Sequence, residues 1–403
     1  MLRKTSLRLP ARQANRSLYT QACTFYSPSP QFLQAHLAQQ TKKPDSTSVF
    51  LLSTSLPDLP QHLSVLQKHL PSYIGSFSIA PPDHEPTISL ATFSDGELRV
   101  FRSELTGRPP AEVGRFQRPE QQRTKRAEDL KGLGQGEVED ALIGQGWAGL
   151  WRSENPVQRI PDLEDVNADS VLLLTDGRPG PVLSALDAMY PQASKSGILT
   201  AATPFITNRP HTLLHNGNIY DSGTLGLALA SSSRSQVDFG LVTMTDPVQI
   251  SGAQGNMLLS IEGTNSNPTQ MLIAAIQRRG GTGITKEEDF FLGFLENGSV
   301  KKVVKILSGD PSRGALSVDM EEPLLPGQTV QFMHRQPASP IVKPTPHTFT
   351  FSSLAKSEET DDIPIGQPRV VKGFLGLSEG GFIYSNPSSS ICTAPGATNT
   401  VHW

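Results

Sequence analysis

Ser48-Val-Phe-Leu-Leu52 and Ser170-Val-Leu-Leu-Leu174 are two short apolar runs that begin and end alike and lie 122 residues apart. Apolar runs of this length predict strands that are buried on both faces. Further landmarks recur at nearly the same offset: Gly75 and Gly197, Pro81 and Pro204, and the turns Asp95-Gly96 and Asn216-Gly217. This spacing predicts that the chain contains two copies of one folding unit.

Each copy is predicted to run strand, helix, strand and hairpin. The helical face of the first copy is given by Leu59, Leu63, Leu66 and Leu70. In the second copy Pro181 suits the helix start, and Val182, Leu186 and Met189 give the face. Asp-Gly and Asn-Gly supply the positive φ that tight hairpin turns need. The sequence therefore predicts an N-terminal module over residues 46–235, built as a strand-helix-strand-hairpin duplication.

After about Ser235 the pattern changes, and a second module is predicted over residues 236–403. Asn267-Pro268 can cap and start a helix, and Asn297-Gly298 predicts a hairpin. The stretch SGDPSRGAL at residues 308–316 predicts a turn between two strands, because Asp-Pro sets a turn and Gly314 accepts a positive φ. The predicted fold class is α/β in the α+β sense, with two modules of mixed β-sheet covered by helices.

Three polar segments interrupt or precede these modules. Residues 106–136 predict a flexible, solvated insertion, and the Pro- and Ser-rich residues 336–369 predict a loop insertion. Residues 1–44 contain seven Lys and Arg but no Asp or Glu. That composition predicts a mitochondrial transit peptide and hence a location in the mitochondrial matrix, the alternative being a disordered basic tail.

Composition and charge exclude several classes of function. The 403 residues carry a net charge of −3, and the basic insertion holds one aromatic residue, Phe116, so no nucleic-acid partner is predicted. No apolar run reaches the roughly 18 residues of a membrane span. Two cysteines predict neither a disulfide framework nor a cysteine zinc site. His211 and His215 have no further ligands nearby, so no metal is predicted.

Catalytic motifs are equally weak. The Gly-rich stretch at residues 278–289 follows a helix instead of a strand, and its lysine spacing does not fit a nucleotide-binding loop. No Gly-x-Ser-x-Gly elbow and no Ser/His/Asp arrangement is visible. The sequence therefore predicts no catalytic residue and no cofactor, and an unrecognised hydrolase stays open as a third reading of function.

Several segments resemble the FIST sensory domain, with its N-terminal and C-terminal modules in order. The hairpin NGNIYDSGTLGLALA at residues 216–230 is similar to the one that closes the family's N-terminal module. The run from Phe290 to Arg335, with its hairpin, Gly-Asp-Pro turn and closing strand, resembles the C-terminal module. The resemblance spans residues 46–403, and it is to the fungal type without an F-box. It departs from the family pattern at Ser196-Gly197 and at Ser378-Glu379-Gly380-Gly381.

The resemblance implies a non-catalytic protein that senses or binds a small molecule such as an amino acid. The residues predicted to bind the ligand, in a pocket between the modules, are Arg313, Ser378, Glu379 and Gly380. Glu379 would hold an amino group, and Arg313 would hold a carboxylate because its guanidinium matches that geometry. The alternative is a protein-interaction adaptor in protein quality control, by analogy with F-box relatives.

Overall fold

The computed structural model describes residues 19–40, 45–80, 85–93, 98–105, 159–203, 209–263, 266–279, 289–312, 314–320, 322–335, 342–355, 366–386 and 388–403. The fold is mixed α/β, as predicted, with nearly half of these residues in the strands of four sheets. Four α-helices are found in these ranges: α1 (Pro30–Gln39), α2 (Leu59–His69), α3 (Gly180–Met189) and α4 (Pro268–Arg278). None of them is long and apolar enough to cross a membrane.

The first sheet has seven strands in the order β20-β1-β4-β2-β3-β8-β9. In that order they are Arg369–Lys372, Tyr19–Tyr26, Thr87–Phe93, Thr47–Ser53, Ser72–Ser78, Leu213–His215 and Asn218–Tyr220. β2 and β3 are parallel and are joined through α2, and the other neighbours are antiparallel.

The second sheet has six strands in the order β23-β22-β7-β6-β10-β5. In that order they are Ser389–Cys392, Phe382–Ser385, Ser194–Leu199, Ser170–Thr175, Thr224–Leu229 and Leu98–Ser103. β6 and β7 are parallel and are joined through α3, and the other neighbours are antiparallel.

The two sheets have the same order and the same strand directions over six positions. β1-β4-β2-β3-β8-β9 in the first corresponds to β5-β10-β6-β7-β22-β23 in the second, with one parallel pair at the same place in each. The shared part is a strand-helix-strand unit with an antiparallel neighbour. The hairpin at its edge comes from a distant part of the chain in both sheets, which periodicity along the sequence does not reveal.

The predicted local hairpin of the first copy is therefore wrong. β4 pairs with β1 and β2, whereas β5 crosses to the other sheet and pairs with β10. Asp95-Gly96, the expected turn, lies outside the described residues. Asn216-Gly217 does form a hairpin, between β8 and β9, with φ of 46° and 87°.

The offset between structurally equivalent residues of the two apolar runs also differs, by one residue, from the offset at which their letters match. Val49 and Leu51 of β2 face the same core as Leu172 and Leu174 of β6, which is an offset of 123 residues. Val171, the match at 122, faces the helix side of its sheet. Side chains alternate along a strand, so a shift of one residue exchanges the two faces.

Helices cover the outer faces of these sheets, and a shared core lies between their inner faces. α1 and α2 cover the first sheet, where Leu66 of the predicted leucine face is buried, while α3 covers the second through Val182 and Leu186. The inner faces of both sheets contribute to one cluster, the central core, which includes Leu51, Ile198 and Phe351. β2 and β6 are apolar on both faces because both faces are covered.

A third sheet completes the central core. Its order is β11-β24-β19-β21, with bounds Arg234–Asp238, Thr398–His402, Phe349–Ser353 and Phe374–Ser378. β19 and β21 form the fold's third parallel pair, and their phenylalanines Phe349, Phe351 and Phe374 enter the central core.

Seven strands between residues 241 and 335 form the remaining sheet. They are β12 (Leu241–Thr243), β13 (Val248–Gln254), β14 (Met257–Ile261), β15 (Phe290–Glu296), β16 (Ser299–Gly309), β17 (Leu316–Val318) and β18 (Thr329–Arg335). The extra pairing of β18 with β15 closes six of them into an antiparallel barrel. β12 is not part of this closed ring and pairs only with β18. α4 adds Leu272 and Ile276 to the apolar cluster of this barrel.

The local signals in the barrel are confirmed. Asn267 caps α4 by accepting the Gln270 N–H at 2.9 Å. Asn297-Gly298 joins β15 to β16 with positive φ at both residues. The stretch at residues 308–316 joins β16 to the antiparallel β17, and Gly314 has a φ of 78°.

Two predicted boundaries need correction. Residues 19–40 belong to the fold, because β1 lies between β20 and β4 and buries Phe25, while α1 buries Leu33 and Leu37. A module border at residue 44 is therefore wrong. A targeting role for the first 18 residues, which lie outside the described ranges, stays a prediction.

The C-terminal region is not one contiguous module, either. β20, β22 and β23, all beyond residue 366, complete the first two sheets. The predicted loop at residues 336–369 contains β19, all of whose residues are buried. Its alternating HTFTFSS pattern is typical of a strand and was obscured by flanking prolines. The predicted insertion at 106–136 lies outside the described residues.

Candidate functional site

Small polar side chains lie at the carboxyl ends of all six strands in the three parallel pairs. In each strand, every second residue faces the central core, and the last residue on that face is polar. These residues, which we call the polar ring, are Ser53, Ser78, Asp176, Thr200, Ser353 and Ser378. Asp176 and Thr200 follow β6 and β7 directly, and the other four are the last residues of their strands.

Backbone contacts bring these strand ends together. The Ala201 N–H donates to the Phe77 carbonyl at 3.0 Å, linking the end of β7 to that of β3. The Ile79 N–H donates to the Leu377 carbonyl at 3.1 Å, linking β3 to β21. Carboxyl ends of parallel strands are the usual position of ligand sites in α/β sheets.

The polar ring is buried, and part of it lies close to the surface. Its six residues are between 0% and 6% exposed. Gly177, Ala202 and Gly380, which follow Asp176, Thr200 and Ser378, are exposed, whereas the residues directly after the other three members are half-buried.

Four members of the polar ring form side-chain hydrogen bonds within the protein: Ser53, whose hydroxyl lies 2.9 Å from that of Ser55, Asp176, Thr200 and Ser378. The Ser378 hydroxyl donates to the Leu199 carbonyl at 2.5 Å and accepts the Gly380 N–H at 2.9 Å. Asp176 accepts the backbone N–H groups of Arg178 at 2.9 Å and of Gly223 at 2.7 Å. These bonds fix the strand ends relative to one another.

Ser353 differs from these members because its hydroxyl has no hydrogen-bond partner among the described residues. Two other buried residues share this property, Ser196 and Thr350. Ser196 lies within β7 and Thr350 faces away from the central core, so of these three only Ser353 lies at a strand end in the polar ring. An unpaired buried hydroxyl costs about 1–3 kcal/mol, so such a group in a native structure calls for an explanation.

His211 adds an imidazole beside the polar ring. Its Nδ1 lies 3.3 Å from the Thr200 hydroxyl, which also donates to the Thr175 carbonyl at 3.0 Å. Burial lowers the pKa of His211, and the nearby Asp176 opposes that effect only in part. The imidazole is therefore neutral near pH 7.

These groups do not form an Asp-His-Thr catalytic chain. Asp176 acts on His211 through its charge, with no hydrogen bond between the two among the described residues, and the Thr200 hydroxyl donates to the Thr175 carbonyl. His215, the other half of the predicted histidine pair, belongs to β8, and burial lowers its pKa too. Within the described ranges, no three His, Cys, Asp or Glu residues are grouped so that they could hold a metal ion.

The predicted ligand-binding residues fall in two places. Ser378, Glu379 and Gly380 lie at the end of β21, in or next to the polar ring, although the Ser378 hydroxyl is occupied by internal bonds. Arg313 lies outside the described residues. Its neighbour Gly314 is packed against Asn267 at the start of α4, on the barrel. That Arg313 and Glu379 bind one ligand together stays a prediction.

Sequence reasoning missed Ser53, Ser78, Asp176, Thr200 and Ser353. A signal was present, since each apolar run at residues 48–52, 170–174 and 349–351 is followed within a few residues by Ser, Thr or Asp. That such positions meet in space depends on the pairing of distant strands. Compared with known protein families and with curated proteins, the sequence gives no significant match.

Proposed function

We propose that the protein is a non-catalytic binding protein of the FIST type, which holds a small polar ligand at the polar ring. The observation that carries this proposal is the unpartnered Ser353 hydroxyl among five other buried polar groups from converging strand ends. A bound molecule with hydroxyl, amide or amino groups would form hydrogen bonds with it and with the unused donors and acceptors of its neighbours.

A thermal-shift screen tests this proposal. Amino acids, amino alcohols, polyols and hydroxy acids would be added at about 10 mM, and a true ligand should raise the Tm by about 2 °C or more. Ser353→Ala should abolish that shift. The matched control is Ser196→Ala, which removes an equally buried and unpartnered hydroxyl away from the polar ring. Equal loss in both variants, or no shift with any compound, would refute the proposal.

The proposed internal duplication rests on the corresponding strand orders of the first two sheets. Gly75 and Gly197 support it as well, because each lies on the second strand of its parallel pair, beside a large residue. A Cβ at Gly75 would collide with the Phe50 ring, and one at Gly197 with the Leu173 carbonyl. Gly75→Ala and Gly197→Ala should therefore both destabilise the fold, which thermal unfolding of the two variants would measure.

We further propose a mitochondrial location, supported by the basic composition of residues 1–18. Because residues 19–40 are part of the fold, the targeting signal should lie before Tyr19. A fusion of residues 1–18 to a fluorescent protein should enter mitochondria. Cytosolic fluorescence of this fusion would contradict the proposal.

An adaptor function is a second candidate, favoured by the open edge of the first sheet. β9 is a three-residue edge strand whose Ile219 is 45% exposed, and no described strand pairs with its outer side. Such an edge can accept a strand from a partner protein. Proximity labelling in the organelle should then find stable neighbours that Ile219→Lys loses. Neighbours without any ligand shift would favour the adaptor.

A further inference from the structure

The sequence contains Asn-Gly twice, and both pairs form hairpin turns of the same kind. Asn216-Gly217 joins β8 to β9 and Asn297-Gly298 joins β15 to β16, each as a two-residue loop. The φ angles are 46° and 87° in the first turn and 51° and 76° in the second, as in the type I′ turn that Asn-Gly favours. All four residues are exposed. The two turns therefore match in residue type, backbone and exposure, and they differ in their tertiary contacts.

Tyr73 of β3 holds the first turn. Its backbone N–H donates to the Asn216 Oδ1 at 2.7 Å, and its hydroxyl accepts the Gly217 N–H at 2.7 Å. Its carbonyl accepts the Asn216 N–H at 3.2 Å. The Tyr73 side chain is buried and its ring lies beside that of Phe50, with the centroids 5.5 Å apart. The side-chain oxygen of Asn216 and the backbone nitrogen of Gly217 are thus both fixed by one buried residue.

The second turn has no such neighbour. Within the described part of the chain, neither the Asn297 side chain nor the Gly298 N–H forms a hydrogen bond. A Cβ built on Gly298 would meet nothing within 4 Å, so the space beside it is open. The Asn297 side chain is therefore free to rotate towards the Gly298 nitrogen.

An Asn-Gly pair can cyclise when these two groups meet. The backbone nitrogen of Gly attacks Cγ of the Asn side chain and forms a C–N bond, while the side-chain nitrogen takes up the proton of the Gly N–H and leaves as ammonia. Water then opens the resulting succinimide at one of its two carbonyls, which gives aspartate or isoaspartate. Gly favours the attack because it has no Cβ in the way. The reaction consumes water and involves no oxidant or reductant.

We propose that Asn297 is a site of spontaneous deamidation in the folded protein, and that Tyr73 protects Asn216 from the same reaction. Cyclisation at Asn216 first requires the bonds from Tyr73 to the Asn216 Oδ1 and to the Gly217 N–H to break. Asn297 has no such bond to a described residue. The product adds a negative charge next to Glu296, at the turn between two strands of the barrel. This inference is independent of the proposed binding function.

Timed incubation of the unaltered protein at mildly alkaline pH tests the proposal. Peptide mapping by mass spectrometry would measure the conversion of Asn to aspartate and isoaspartate at both positions in one sample. Asn297 should react about tenfold or more faster than Asn216, because two hydrogen bonds must break at Asn216 before the reaction. Equal rates, a faster reaction at Asn216 or no product at Asn297 would overturn the proposal.

The same incubation in concentrated urea is the control for local sequence. Unfolding removes the contacts of Tyr73 and leaves the residues around each Asn-Gly pair unchanged. Both pairs should then react at similar rates, with Asn216 gaining the most. If Asn297 stays as far ahead in urea as in the folded protein, the neighbouring residues set the difference and Tyr73 has no protective role.

Two variants locate the effect. Tyr73→Phe keeps the ring and removes the acceptor of the Gly217 N–H, so Asn216 should react about fivefold faster. Asn297 in the same variant should keep its parental rate, which reports that the fold is unchanged. Asn297→Gly should eliminate the reaction at that turn, since Gly-Gly also suits a type I′ turn and cannot deamidate. An unchanged rate at Asn216 in Tyr73→Phe would overturn the role of the hydroxyl.

Discussion

The polar cluster near the beginning of β7 and the polar ring beyond its other end differ in how fully the protein satisfies their buried polar groups. Near the beginning, the fully buried Lys195 ammonium lies 2.8 Å from an Asp187 oxygen and donates to the Tyr190 carbonyl at 2.5 Å. Asp187 in turn accepts the N–H and hydroxyl of Ser389 on β23. This paired cluster joins α3, β7 and the β22–β23 hairpin.

At the other end, β7 leads into the polar ring, where Ser353 has no partner among the described residues. Buried polar groups that are paired hold structure together, whereas an unpaired one costs stability unless something else binds it. The difference shows that burial alone does not distinguish structural from functional polar residues, whereas their hydrogen-bond partners do.

The largest expected loss of stability comes from breaking the ion pair between Lys195 and Asp187. Lys195→Met should destabilise the protein by about 3–5 kcal/mol, because Asp187 then loses its cation in a partly buried setting. Chemical denaturation would measure the loss. Adding Asp187→Asn to Lys195→Met should recover part of it, since no uncompensated charge remains. A single variant as stable as the parent would show that the cluster is not structural.

A smaller effect is expected from Ser378, the paired member of the polar ring. Ser378→Ala leaves the Leu199 carbonyl and the Gly380 N–H without their partner. We expect a loss of about 1–3 kcal/mol in the free energy of unfolding. Ser308→Ala, at an exposed position of β16, is the control and should be neutral.

Ser353→Ala should cost no stability in the absence of ligand. The hydroxyl forms no bond to lose, and its removal relieves the desolvation of an unpaired group, so a gain of up to about 1 kcal/mol is expected. Thr350→Val, on the other face of the same strand, should behave alike. Ser353→Ala destabilising by as much as Ser378→Ala would mean that Ser353 has a structural partner.

The smallest effect is a pH dependence from His211, whose pKa burial lowers below the ordinary value. Between the lowered folded pKa and the unfolded value of about 6.5, the unfolded chain binds more protons. The contribution is therefore fully present above about pH 6.5 and is lost as the pH falls through the folded pKa. His211→Gln should show a flatter decline of Tm below pH 6.5 than the parent protein, all other histidines being unchanged. Identical profiles would contradict this assignment.

The sequence predicted local structure well where a single element carries its own signal. The helical faces of α2, α3 and α4, the Asn267 cap and the turns at Asn216, Asn297 and Gly314 all depend on residues within one turn or one helix. It failed for β1, α1 and β19. There, targeting composition or flanking prolines outweighed a short apolar pattern, and burial against distant strands decided the outcome.

By itself, the sequence determined which segments are strands buried on both faces, because apolar runs such as residues 48–52 and 170–174 need cover on both sides. Only the tertiary structure decided which strands are neighbours. β5 and β8 each leave their own copy for the opposite sheet, and the C-terminal strands complete both. The polar ring follows from that pairing. Its residues are up to 325 positions apart, from Ser53 to Ser378, and only the packing of three parallel pairs brings them together.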